Sequence, residues 1–169
     1  FTYLHGCTFY GSVDIDWQWS YLYDCRFIGS QVIARNQDGW LKFIRCSFEG
    51  PVDTAAVAFP GTTDAIWFED CVFRNCDVAI AVGKPTSDGL RVHRSRFEDV
   101  ADAAIVSDEA RWPYTWPPNQ SMRLEVVDSH FSDCGTAVKW GALRPEPAYL
   151  ARDTVSGTTG PALVLIGSC

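Results

Sequence analysis

Ile66-Trp67-Phe68-Glu69-Asp70-Cys71-Val72-Phe73 is the clearest copy of a pattern that returns along the chain. Apolar residues recur at every second position, the phase slips by one residue, and a small residue, any residue and a large apolar residue follow. This small-x-apolar element has seven copies, the last one degraded: Cys7-Thr8-Phe9, Cys25-Arg26-Phe27, Cys46-Ser47-Phe48, Cys71-Val72-Phe73, Ser95-Arg96-Phe97, Ser129-His130-Phe131 and Asp153-Thr154-Val155. Their apolar anchors lie 18, 21, 25, 24, 34 and 24 residues apart. Such spacing predicts a solenoid whose repeats stack on their neighbours.

Each repeat contains two strand-like pieces and a loop of variable length. The first piece leads into the small-x-apolar element, and the phase slip before the small residue predicts a tight bend. The second piece has the form small-apolar-x-apolar, as in Ala79-Ile80-Ala81-Val82 and Ala137-Val138-Lys139-Trp140. Helical spacing is almost absent, so the sequence predicts an all-β chain of about seven repeats.

Composition limits the class of protein. With 47% apolar and 21% charged residues, the 169-residue chain is typical of one folded domain, residues 1–169, without a membrane-spanning run. The net charge of −7 argues against a nucleic-acid partner, because phosphate binding requires clustered Lys and Arg. The repeat pattern is already under way at Tyr3-Leu4, and no polar segment closes it after Gly167. We therefore expect a domain that is truncated at one or both ends.

Stacked parallel strands place matching residues of neighbouring repeats about 4.8 Å apart, which predicts ladders of like residues. One ladder contains the phenylalanines of the repeated element, and a second contains the small residues that precede them. A third ladder lies three residues after the apolar anchors, where Ser12, Ser30, Cys76, Val100, Cys134 and Thr158 stand, with Pro51 as the exception. Six of the seven cysteines thus occupy ladder positions where Ser also occurs, which favours buried structural thiols. A disulfide such as Cys7–Cys25 remains an alternative, as does zinc, although no Cys-x-x-Cys occurs. We predict no metal site and no cofactor.

These repeats resemble the right-handed parallel β-helix of the pectate-lyase-like superfamily, which includes polygalacturonases and pectate lyases. The resemblance covers essentially the whole chain and implies three strands in each coil. It also implies catalytic aspartates in the turn that leads into the small-apolar strand. Asp53, Asp77 and Asp102 stand there, so they are the candidate acid and base residues. The family's paired Asp-Asp, its His-Gly pair and its Arg-x-Lys motif are absent. Turn formation by the three aspartates is the alternative interpretation.

The longest loop carries the candidate substrate-binding residues. Aromatic rings beside carboxylates and Arg suit sugars, which have apolar C–H faces and polar edges. These residues are Asp108, Glu109, Arg111, Trp112, Tyr114 and Trp116. Packing of this loop against the solenoid wall is the structural alternative.

Together these features predict a β-helix protein that acts on or binds a polysaccharide, with a secreted or cell-surface location. If the protein is an enzyme, it would be a glycoside hydrolase or a polysaccharide lyase. The sequence leaves open whether it is an enzyme at all. A non-catalytic structural or surface-displayed solenoid is the alternative, and one fold can host many activities.

Overall fold

A computed structural model describes residues 2–16, 19–35, 37–50, 53–60, 63–83, 86–107, 123–142 and 148–167. These residues form nineteen β-strands in two parallel sheets, with turns and bends between them, and they contain no helix. Accordingly, this part of the chain has no helix long and apolar enough to cross a membrane. The prediction of an all-β chain is confirmed for these residues.

The first sheet takes one strand from each of the seven sequence repeats. Its strands, in spatial order, are β1 (Thr2–His5), β4 (Ser20–Tyr23), β7 (Gln37–Ile44), β10 (Thr63–Glu69), β12 (Thr86–His93), β14 (Leu124–Val127) and β17 (Tyr149–Ala151). Every neighbouring pair is parallel and matches equivalent positions of consecutive repeats. The order in space therefore follows the order in sequence.

The second sheet has twelve strands in two rows that share β11 and β13. The first row is β2 (Thr8–Tyr10), β5 (Arg26–Ile28), β8 (Ser47–Glu49), β11 (Val72–Val82), β13 (Arg96–Ser107), β15 (His130–Ser132) and β18 (Thr154–Ser156). The second row adds β3 (Val13–Ile15), β6 (Val32–Ala34), β9 (Ala55–Phe59), β16 (Thr136–Ala142) and β19 (Leu163–Gly167). Its pairs are also parallel, as in β11 with β13.

The core lies between the two sheets and is built on the predicted phenylalanine ladder. Ring centroids from Phe9 to Phe131 are 5.0, 4.8, 4.6, 4.9 and 4.7 Å apart along the stack, with ring planes within 10° of each other. Phe43 and Phe68 of the first sheet meet this stack edge to face. Both arrangements are favourable for aromatic quadrupoles, so the aromatic ladder is confirmed.

The predicted bend lies one residue before each small residue. Seven residues there have left-handed backbone, with φ between 47° and 66°: Gly6, Asp24, Arg45, Asp70, Arg94, Asp128 and Arg152. A second series of left-handed residues lies two positions after each apolar anchor: Gly11, Gly29, Gly50, Asn75, Asp99, Asp133 and Gly157. Gly, Asn and Asp tolerate this conformation best, whereas Arg adopts it only at a cost. The phase slip in the sequence thus corresponds to a real corner of the backbone.

The small-residue ladder is buried from Cys25 to Ser129. Its serines link neighbouring repeats: the Cys71 amide donates to the Ser95 hydroxyl at 3.2 Å, and the Ser95 amide donates to the Ser129 hydroxyl at 3.3 Å. The six cysteines that the structure describes are free thiols, five of them buried and Cys7 half-buried. Buried structural thiols are therefore confirmed at those five positions. The alternative Cys7–Cys25 disulfide is not formed.

Candidate functional site

The predicted catalytic aspartates lie at the start of the second row of the twelve-stranded sheet. Val78 pairs with Ala103 just after a shift of register, and Asp77 and Asp102 directly precede these two residues on neighbouring strands. Ala55 also pairs with Val78, which matches Thr54 rather than Asp53 to this position. Asp53 lies one residue earlier, is exposed and has left-handed backbone with a φ of 73°. Two of the three aspartates, Asp77 and Asp102, therefore stand directly before one pair of matched residues.

The predicted sugar-binding loop lies outside the described residues. This applies to all six candidates, Asp108, Glu109, Arg111, Trp112, Tyr114 and Trp116. Their role stays a prediction.

The structure instead brings an aromatic and charged face together on the outside of the seven-stranded sheet. Residues four positions before each small residue form one register column there. From the first repeat to the last they are Tyr3, Tyr21, Lys42, Trp67, Arg91, Glu125 and Tyr149. The side chains on either side of this column, such as Leu41 and Phe43, are buried in the core. Alternation along the strands thus places the column on the outer face.

Three tryptophans and Tyr21 form what we call the aromatic strip of this face. The ring centroids of Trp19 and Trp40 are 5.5 Å apart with a tilt of 42°, and those of Trp40 and Trp67 are 5.7 Å apart with a tilt of 19°. Trp19 is 39% exposed. Because the Trp40 and Trp67 rings stack on each other, Trp19 has the ring surface of the aromatic strip that is most open to solvent.

Lys42 lies among these rings. Its ammonium is 3.4 Å from the Trp67 ring centroid, 5.0 Å from that of Trp40 and 5.5 Å from that of Tyr21. In the next repeat of the column, the Arg91 guanidinium carbon is 4.9 Å from the Trp67 centroid. Two cations therefore contact one indole, an attractive arrangement for the ring quadrupole. Partial burial lowers the pKa of Lys42.

Glu125 lies one repeat beyond Arg91 and is the centre of a charged cluster. Its carboxylate contacts His93 Nε2 at 3.0 Å and accepts a hydrogen bond from Arg123 Nη2 at 3.2 Å. Arg91 Nε is farther away, at 3.9 Å. Three basic side chains, Arg91, His93 and Arg123, therefore meet at one carboxylate.

Sequence reasoning missed this outer face although a signal was present. All seven column residues stand at the same offset from the repeated element, but their types differ, so no ladder of like residues marks them. Among the described residues, no group of three or more His, Cys, Asp or Glu side chains could hold a metal ion. Comparison of the chain with protein-family models, with curated proteins and with solved structures finds no match.

Proposed function

We propose that this chain is a right-handed parallel β-helix that binds a polysaccharide through the aromatic strip. Parallel pairing of every strand with its counterpart in the next repeat supports the coiled architecture. Right-handedness follows from the strong preference of parallel crossover connections for that hand. The resemblance to the pectate-lyase-like superfamily agrees with this proposal.

Exposed aromatic surface beside polar groups is the observation that carries the ligand class. A sugar ring has an apolar C–H face that packs on an aromatic ring, and hydroxyl groups that bond to charged side chains at its edge. Trp19 offers such a ring, Tyr3 is 61% exposed on the same face, and Lys42 and Arg91 supply donors farther along it. Repeats about 4.8 Å apart would give an extended polymer several contacts in a row. A location outside the cell, secreted or at the cell surface, fits such a partner.

Binding and cleavage are separable in this proposal. Asp77 and Asp102 lie on the twelve-stranded sheet, whereas the aromatic strip lies on the seven-stranded sheet. A glycoside hydrolase or polysaccharide lyase activity remains a second candidate, favoured by the matching register of these two aspartates. A non-catalytic solenoid is the alternative. It is favoured by the stacking of Trp40 on Trp67, because this contact stabilises the sheet without any ligand.

Affinity electrophoresis through gels that contain neutral or acidic polysaccharides tests the proposal. At least one polymer should retard the protein, and Trp19→Ala should weaken that retardation by about tenfold or more, as for an aromatic anchor of an interface. Tyr10→Ala is the matched control, since Tyr10 is 78% exposed but lies in β2 of the other sheet. Retardation by no polymer, or equal losses in both variants, would contradict the proposal.

Incubation with the retained polymer, followed by chromatography of the products, tests cleavage. Asp77→Asn and Asp102→Asn should each abolish product formation while leaving retardation unchanged. If the wild-type protein releases no product, the binding proposal stands and the enzyme candidate is dropped.

A further inference from the structure

Around Trp67, the last tryptophan of the aromatic strip, lie hydrogen-bond donors that have no partner within the protein. Trp67 Nε1 and Arg91 Nε are both buried, and neither has a hydrogen-bond partner. Leaving such donors unsatisfied in a buried position is unfavourable. The two side chains are in contact, since the Arg91 guanidinium lies over the Trp67 ring. The two unused donors therefore belong to side chains in contact with each other, and the Lys42 ammonium contacts the same indole.

The neighbouring carboxylates are engaged by other groups. Glu125 contacts His93 and Arg123, and Glu69 accepts a hydrogen bond from Arg94. Among the described residues, Lys42 has no carboxylate within ion-pair distance, and the ion pair of Arg91 with Glu125 is long, at 3.9 Å. This spot is thus rich in positive charge and donors within a chain whose net charge is −7.

We propose that Lys42, Trp67 and Arg91 form a binding site for an oxyanion, that is, a carboxylate, sulfate or phosphate group. The Arg91 Nε–H and the Trp67 indole N–H would donate to its oxygens, and the Lys42 ammonium would supply a second positive charge. Hydrogen bonds between ionised groups of this kind are short and strong. Arg91 and Lys42 are partly exposed, so an anion would reach the donors through a change of their side-chain rotamers. The site needs no polymer, so it goes beyond the proposed polysaccharide function.

The indole N–H resonance of Trp67 reports on this site directly. In a ¹⁵N-labelled protein, that resonance is the one missing from Trp67→Phe. At constant ionic strength it should shift and saturate with sodium sulfate or sodium glucuronate, and glucose should have no effect. Response to sulfate alone would identify a free inorganic anion as the ligand. Tighter binding of glucuronate would identify the acid group of a sugar.

Variants distinguish binding at this specific site from nonspecific attraction of anions to positive charge. Lys42→Gln and Arg91→Gln should each weaken binding by about tenfold, the effect of losing one charged hydrogen bond. Arg91→Lys keeps the charge but loses the Nε–H donor, so it should also weaken binding. Arg96→Gln is the matched control, because Arg96 is an exposed arginine of β13 on the other sheet. The proposal is overturned if neither anion shifts the Trp67 resonance, or if Arg96→Gln weakens binding as much as Arg91→Gln.

Outcomes also separate this proposal from the polysaccharide proposal. Saturable anion binding without retardation by any polymer would support the oxyanion site and overturn the polysaccharide proposal. Retardation that is weakened in Trp19→Ala, together with no response of the Trp67 resonance to anions, would support the polysaccharide proposal and overturn the oxyanion site.

Discussion

Arg45 donates two hydrogen bonds to the carboxylate of Asp24, at 2.7 Å from Nε and 2.8 Å from Nη2, and both residues have left-handed backbone. The same two-bond pairing recurs between Arg94 and Asp70 and between Arg152 and Asp128. Six of the seven bends are thus tied in three pairs along one edge of the molecule. Asp suits the left-handed conformation, and its Arg partner in the next repeat provides a planar fork that matches the carboxylate.

These pairs make stability sensitive to acid. Hydrogen bonds from Arg45 and Arg152 hold the pKa values of Asp24 and Asp128 below the usual range for aspartate. A folded pKa below the unfolded one gives a stabilisation that is complete above about pH 4 and is lost as the pH falls through the folded pKa. We expect the contribution of these pairs to Tm to decline as the pH is lowered from about 5 to 2. High salt should reduce the same contribution, because the groups are exposed.

Carboxyl ¹³C NMR titration checks the cause of this effect. Arg45→Gln should return the pKa of Asp24 toward its usual range. Arg26→Gln, which removes an exposed arginine close to the same bend, should leave it unchanged. If the Asp24 pKa is the same in wild type and Arg45→Gln, the paired hydrogen bonds do not form in solution.

Asp153 should respond to pH with the opposite sign. It stands in the small-residue ladder, where burial raises its pKa although its carboxylate accepts the Ser129 amide at 2.8 Å. A raised folded pKa means that ionisation disfavours the fold as the pH rises through that value. Asp153→Asn keeps an acceptor without the charge, so we expect a higher Tm than wild type at pH 7 and a smaller difference at pH 3. A lower Tm than wild type at pH 7 would contradict this account.

Gly135 lies where two backbones approach closely. A Cβ atom built on it would be 2.4 Å from the carbonyl oxygens of Ala101 and Asp102, which belong to the neighbouring strand. Backbone atoms cannot move aside as a side chain can, so Gly135→Ala should lower the free energy of unfolding by about 3 kcal/mol. In Gly29→Ala the new methyl meets nothing within 4 Å, and only the left-handed backbone is strained. That control should lose about 1 kcal/mol, and equal losses in urea unfolding would be inconsistent with the close approach.

The buried thiols of Cys25, Cys76 and Cys134 should resist alkylation. Burial raises the pKa of Cys25 and Cys134 to about 11 and that of Cys76 to about 12, so few thiolates exist at pH 7. We expect iodoacetamide to label the half-buried Cys7 first and the other three only after unfolding, as mapped by peptide mass spectrometry. Labelling of Cys25 as fast as Cys7 in the native protein would show that the ladder is open to solvent.

The sequence was sufficient to predict features that repeat by residue type. The phenylalanine ladder, the small-residue ladder and the bend between them follow from one period and one phase slip, and all three are present. The positions of the predicted catalytic aspartates were harder to foresee. Asp77 and Asp102 lie 4 and 5 residues after their anchors, and a bulge between Cys76 and Val78 absorbs the difference. Asp53 also lies 5 residues after its anchor, yet Val78 pairs with Ala55, so Asp53 lies one residue before the matching position. A single sequence does not show such register differences.

The outer face was hidden for a different reason. An exposed position can accept any residue type, so Lys42, Trp67, Arg91 and Glu125 do not look alike although they share one column. Register, not similarity, brings them together. The alternation of Asp and Arg at the bends could have been read from the sequence, because each stands directly before the small residue. Its pairing in twos depends on side-chain geometry.

Parallel in-register stacking of the repeats is the claim on which the ladders, the strip and the oxyanion site all depend. Nuclear Overhauser contacts between phenylalanine rings, in protein labelled selectively at phenylalanine, test it most directly. We predict contacts from Phe48 to Phe73 and from Phe73 to Phe97, whose centroids are 4.6 and 4.9 Å apart. Absence of both contacts in the folded protein would contradict the stacking.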